Sequence, residues 1–129
     1  MAKVLIVDDS EAFRRLNAAF LKMDGHKVLT AHDGLETLHL VRTERPDVLL
    51  LDIKMPGIDG YDICRQIKSD PATRDTLVVM LTSLPRSERY RSFLAGAQGH
   101  VTKPIASRQL RDMVRRLVEN RERDDLDRL

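Results

Sequence analysis

Short apolar runs recur along the chain. Each is followed by a stretch in which apolar residues return every three or four positions. The clearest runs are Val4-Leu5-Ile6-Val7, Val48-Leu49-Leu50-Leu51 and Leu77-Val78-Val79-Met80-Leu81. They are apolar on successive residues, not on alternate ones. That pattern marks strands covered on both faces, as in a parallel sheet sandwiched by helices. The runs predict strands at about 3–7, 27–31, 47–52, 77–82 and 99–102.

The intervening stretches predict helices. The first spans about Ser10 to Asp24, with Phe13, Leu16, Asn17, Phe20 and Leu21 at helical spacing. Ser10 suits the N-cap, and Gly25 suits the left-handed position just past the end. The second spans about Gly34 to Glu44, striped by Leu35, Leu38 and Val41, with Pro46 stopping it. The third follows Asp59-Gly60 and ends near Ser69-Asp70-Pro71. The fourth covers about Arg86 to Ala97. The fifth starts near Ser107, with Leu110, Met113, Val114, Leu117 and Val118 as its stripe. Five βα units imply an α/β fold with an open, doubly wound sheet, because right-handed crossovers put helices on both faces.

Composition narrows the class. The 129 residues suit one domain with one core, and 33% charged with 42% hydrophobic residues suits an ordered, soluble chain. No apolar run approaches the roughly 20 residues of a membrane span, and the first is too short for a secretory signal. Cys64 is the only cysteine, so no internal disulfide can form, and a reducing, cytoplasmic setting is expected. Residues 1–60 hold 8 Lys/Arg and 10 Asp/Glu, net −2, and residues 61–129 hold 14 and 10, net +4. An acidic site in the first half and a basic surface in the second follow. The imbalance is too small to argue for nucleic acid.

In a doubly wound sheet, ligands bind beyond the carboxyl ends of the strands. The predicted strands end in Asp8-Asp9, Asp52, Thr82-Ser83 and Thr102-Lys103-Pro104. Three carboxylates, a hydroxyl and an ammonium therefore gather on one rim. An isolated aspartate after a strand is usually a turn former. Three together repel one another unless a cation binds. Hard oxygen donors, with no His/Cys cluster in competition, favour Mg²⁺.

Val7-Asp8-Asp9-Ser10, Leu51-Asp52 through Lys54-Met55-Pro56-Gly57 to Asp59-Gly60, Leu81-Thr82-Ser83, and Ala95-Gly96-Ala97 leading to Thr102-Lys103-Pro104 resemble the CheY-like receiver domains of two-component response regulators. The resemblance covers residues 3–120. It implies a flavodoxin-like (βα)5 three-layer sandwich with a parallel five-stranded sheet in order 2-1-3-4-5, occupying residues 1–122. Residues 123–129 would be a charged tail or an extension of the last helix. Asp52 would accept the phosphoryl group. Asp8, Asp9, Asp52 and the Lys54 backbone carbonyl would hold Mg²⁺. Thr82 would hydrogen-bond a phosphoryl oxygen, Lys103 would pair with the group, and the Lys103–Pro104 bond would be cis. Phosphoryl transfer relies on positioning and charge neutralisation, which this set can supply.

The chain departs from the family at His100, where an aromatic switch ring is usual. His100 is either a half-exposed polar residue or a small switch ring working with Thr82. Leu77 replaces a frequent proline, with little consequence expected. Lys54 and Leu84 sit where the family tunes hydrolysis and imply a slow to moderate loss of the phosphoryl group.

Three other readings fit less well. A haloacid-dehalogenase-type phosphatase needs a second aspartate where Lys54 stands. A flavodoxin-like cofactor carrier needs a phosphate-binding loop where Asp8-Asp9 would repel phosphate. A degenerate receiver usually lacks one of the five residues present here.

The expected donor is a sensor histidine kinase or histidine phosphotransfer protein. The expected output is a protein target or homodimer through the α4-β5-α5 face, where Arg86, Arg89, Arg91, Arg108, Arg111, Arg115 and Arg116 face few acids. Direct nucleic acid or membrane contact is not expected. Nor is turnover beyond the receiver's own phosphorylation and dephosphorylation. The chain is either a stand-alone relay or a receiver from a longer regulator.

Overall fold

A computed structural model describes residues 2–55, 57–83 and 88–128. The strands are β1 (Lys3–Val7), β2 (Lys27–Ala31), β3 (Val48–Asp52), β4 (Leu77–Thr82) and β5 (Gly99–Thr102). The helices are α1 (Glu11–Met23), α2 (Gly34–Glu44), α3 (Gly60–Ser69), α4 (Arg89–Leu94) and α5 (Ser107–Asp127). The strands form one parallel sheet in order β2-β1-β3-β4-β5. The fold is the flavodoxin-like sandwich implied by the sequence.

Two apolar layers flank the sheet. Leu5, Val7, Leu49, Leu51, Val78 and Met80 pack with α2 and α3. Val4, Ile6, Leu50, Val79, Leu81 and Val101 pack with α1 and α5. Burial on both faces holds for β1, β3 and β4 but not for β2, whose Lys27 and Thr30 are exposed. An edge strand has a neighbour on one side only, and that leaves it open to solvent.

The caps follow the local sequence. Ser10 Oγ accepts the Phe13 amide at 3.2 Å, and Gly25 follows α1 at φ +92°. Asp33 and Asp59 cap α2 and α3 in the same way. Ahead of Pro46, Arg45 rather than a glycine takes the left-handed φ of 47°. The Leu77 amide donates to the Asp47 carbonyl at 2.9 Å, a bond that proline could not make.

Two stripes differ from expectation. Leu16 is 54% exposed and Leu35 is 75% exposed, while Ala18 and Thr37 are buried alongside the expected Asn17. Asn17 and Thr37 can be buried because their side chains donate to the carbonyls four residues earlier, at 2.9 and 2.7 Å. The helix expected from Arg86 is described only as Arg89–Leu94. Leu84 and Arg86 lie outside the described residues. So does Pro56.

Candidate functional site

β1 ends at Val7, and the chain turns at once into α1. Asp8 holds this turn: its Oδ1 accepts the Ser10 amide at 2.9 Å. Arg14 reaches back from α1 and donates to the Asp8 carbonyl at 2.5 Å. Asp8 is fully buried, while Asp9 beside it is exposed.

β3 delivers Asp52, which is 5% exposed. Its Oδ1 accepts the Lys54 amide at 3.1 Å. The loop that follows is pressed against the start of α3, where the Gly60 amide donates to the Ile53 carbonyl at 3.1 Å. A Cβ on Gly60 would lie 2.7 Å from Ile53 Cα and 3.0 Å from the Asp52 carbonyl oxygen. Only glycine allows that approach.

β4 and β5 close the rim. Thr82 is buried and in register with Thr102. The Lys103 amide donates to the Thr82 carbonyl at 2.6 Å, and the Lys103–Pro104 bond is cis. Lys103 Nζ lies 2.5 Å from Asp8 Oδ2 and 3.6 Å from Asp52 Oδ2. It also sits over the Phe13 ring, 4.8 Å from the centroid.

Burial pushes the Asp52 carboxyl above the usual carboxylate range. Lys103 and the Lys54 amide oppose that rise, and Asp8 and Asp9 add to it. Asp8, Asp9 and Asp52 each offer an oxygen, all within 4.8 Å of one another. These are hard donors around a point where negative charge is under-compensated, and they fit a hard divalent cation. His32, Asp33 and Glu36 also cluster. There Asp33 caps α2 and His32 pairs with Glu36 at 2.8 Å on the surface, which accounts for the arrangement.

A family model described as the response regulator receiver domain matches residues 4–115. The chain belongs to that family. It is 43% identical over 118 residues to "Response regulator PleD" of Caulobacter vibrioides, covering 91% of this chain and 26% of that protein. It is 38% identical over 125 residues to "Response regulator MprA" of Mycobacterium avium, covering 95% of this chain and 54% of that protein. The chain thus spans about a quarter to a half of these curated relatives. Among solved structures it resembles the chemotaxis response regulator CheY4 of Vibrio cholerae, with TM-score 0.85 and 31% identity, covering 91% of this chain and 98% of that one.

The receiver brings Asp8, Asp9, Asp52 and Lys103 together, with Thr82 closing the strand beside Asp52. His100 lies on β5 next to Met80, half-buried, with Nδ1 2.6 Å from Ser92 Oγ of α4. Burial, and Arg89 nearby, lower its pKa. The arginines of the face expected for output are partly paired off. Arg111 forks onto Asp24, just past α1, at 2.9 and 2.6 Å and stacks over Phe20. Arg115 pairs with Asp112, and Arg91 with Glu88.

Sequence reasoning missed Phe13 and Arg14 as neighbours of the site. Phe13 read as part of α1's apolar stripe. The available signal was their place in the first turn after Asp8-Asp9.

Proposed function

We propose that this receiver accepts a phosphoryl group on Asp52 from a histidine kinase or a histidine phosphotransfer protein. The carrying observation is the geometry at Asp52: Lys103 Nζ lies 3.6 Å from Oδ2, while Oδ1 is tied to the Lys54 amide. A carboxylate so held needs no base. Its oxygen attacks phosphorus, the bond from phosphorus to the donor nitrogen breaks, and an acyl phosphate forms on Asp52. Lys103 shifts from Asp8 toward the new phosphoryl oxygens. Thr82 donates to one of them, and His100 follows the space Thr82 vacates, carrying the change to α4 through Ser92. Asp8, Asp9, Asp52 and the Lys54 carbonyl would hold Mg²⁺, which offsets the charge of the transferring oxygens.

The output surface is α4-β5-α5, toward a protein target or a second copy. α5 runs on through Asp127 as a charged helix. Nucleic acid and membrane are not partners of this domain in this reading, and its setting is the cytoplasm. Among the described residues no helix is long and apolar enough to cross a membrane.

The test is incubation with a small phosphodonor and Mg²⁺, followed by mass spectrometry to locate the label. Label on Asp52, lost in Asp52→Asn, supports the assignment. Labelling of Asp52→Asn at the wild-type rate overturns it.

A further inference from the structure

Lys103 is the cation on which the proposed chemistry turns, yet its side chain is long, flexible and 24% exposed. Holding such a chain in one place costs rotamer entropy that its contacts must offset. Two carboxylates pull on the ammonium from the rim, Asp8 at 2.5 Å and Asp52 at 3.6 Å. An ammonium is a point charge on a flexible four-carbon stem, so ion pairing alone does not fix the stem. A third contact is with Phe13, where the ammonium rests over the ring, 4.8 Å from its centre. Phe13 lies in the first turn of α1, its amide is bound to Ser10 Oγ at 3.2 Å, and its partly buried side chain packs against the core shared by α1 and α5.

We infer that Phe13 is a positioning residue for Lys103, its ring face seating the ammonium between Asp8 and Asp52. An aromatic ring does this through its negative face, which attracts a cation within about 6 Å. A leucine could fill similar space but has no such face. The same turn of α1 therefore serves the site twice, with Ser10 closing the Asp8 turn and Phe13 supporting the lysine. This rests on the function proposed above, since it gives Phe13 a role only if Lys103 meets a phosphoryl group.

The test compares Phe13→Leu and Phe13→Tyr with wild type in two assays. The first is acetylation of lysines by an N-hydroxysuccinimide ester without metal, read residue by residue by mass spectrometry. Lys103 should react about three- to tenfold faster in Phe13→Leu, the range a partly buried cation–ring contact supports. It should stay within about twofold of wild type in Phe13→Tyr. Exposed Lys22 and Lys27 serve as controls and should not change. The second assay is the rate of Asp52 phosphorylation from acetyl phosphate with Mg²⁺, slowed by a similar factor in Phe13→Leu and restored in Phe13→Tyr. Thermal melts report the fold, and Phe13→Met replaces the leucine variant if that melts early. Unchanged Lys103 labelling in a folded Phe13→Leu overturns the inference. So does equal acceleration in Phe13→Tyr, or faster labelling with an unchanged phosphorylation rate. If labelling follows expectation but wild type takes no phosphoryl group, the seating stands and the proposed function fails.

Discussion

Mg²⁺ at a hundredfold excess over its dissociation constant should raise the melting temperature by about 10 °C, and Asp9→Ala should abolish the rise. The perturbation acts on carboxylate oxygens of Asp8, Asp9 and Asp52 that lie within 4.8 Å of one another. Only the folded chain gathers them, so a cation they hold stabilises the native state. At that excess the linkage is about 2.7 kcal/mol. Unfolding entropy is about 2.1 cal/mol/K per residue, or about 0.27 kcal/mol/K for a chain of 129 residues. The quotient is about 10 °C. Asp9 is the exposed member of the set, so its removal deletes a ligand without opening the core. In metal-free buffer its loss also relieves a repulsion of about 1 kcal/mol, the Coulomb value for this separation in water. Asp9→Ala without metal should therefore melt between the wild-type temperature and about 4 °C above it. The assay is a pair of calorimetric melts for each protein, in chelator and in millimolar MgCl₂. A wild type that does not respond to Mg²⁺ would refute the reasoning. So would an Asp9→Ala variant that melts several degrees low in chelator, or one that responds to Mg²⁺ as wild type does.

Gly60→Ala should cost about 1–3 kcal/mol and slow phosphorylation, because the new Cβ would lie 2.7 Å from Ile53 Cα and the loop after Asp52 must move. Denaturant melts check the first part and a phosphodonor assay the second. His100 binds its proton less readily in the fold than an unfolded imidazole of pKa about 6.5, through burial and Arg89. Below that pH the unfolded chain takes up the extra proton, so stability should fall as pH drops from about 7 toward 5. His100→Phe should flatten this loss, leaving the share due to His26, whose pKa burial also lowers. Identical slopes for the two proteins would count against it. Burial pushes the Cys64 thiol up to about 11, and its Sγ lies 3.3 Å from the Ala95 carbonyl. Iodoacetamide at pH 8 should therefore label it only after unfolding, and rapid labelling of the native protein would contradict its placement.

The strand runs, the caps and the residues closing each strand were legible in the sequence because they are local signals. Successive apolar residues mark a doubly covered strand wherever they occur, and Ser10, Asp33 and Asp59 cap their helices through hydrogen bonds that span two or three residues. Since parallel strands all point one way, Asp8, Asp52, Thr82 and Lys103 had to meet on one rim once the sheet was inferred. Tertiary packing alone decided the rest. A stripe shows which residues can face a sheet, but docking chooses among them. Gly34 lies so close to Ile58 and Ile63 that a Cβ would meet them at 2.9 and 3.0 Å, while its neighbour Leu35 is left in solvent. Long charged side chains were the least legible. Arg111 reaches Asp24 across 87 residues, and Arg121 reaches the Asp47 carbonyl across 74. Their partners are set by which helix or strand ends within a side chain's length, a distance that exists only once the helices have docked.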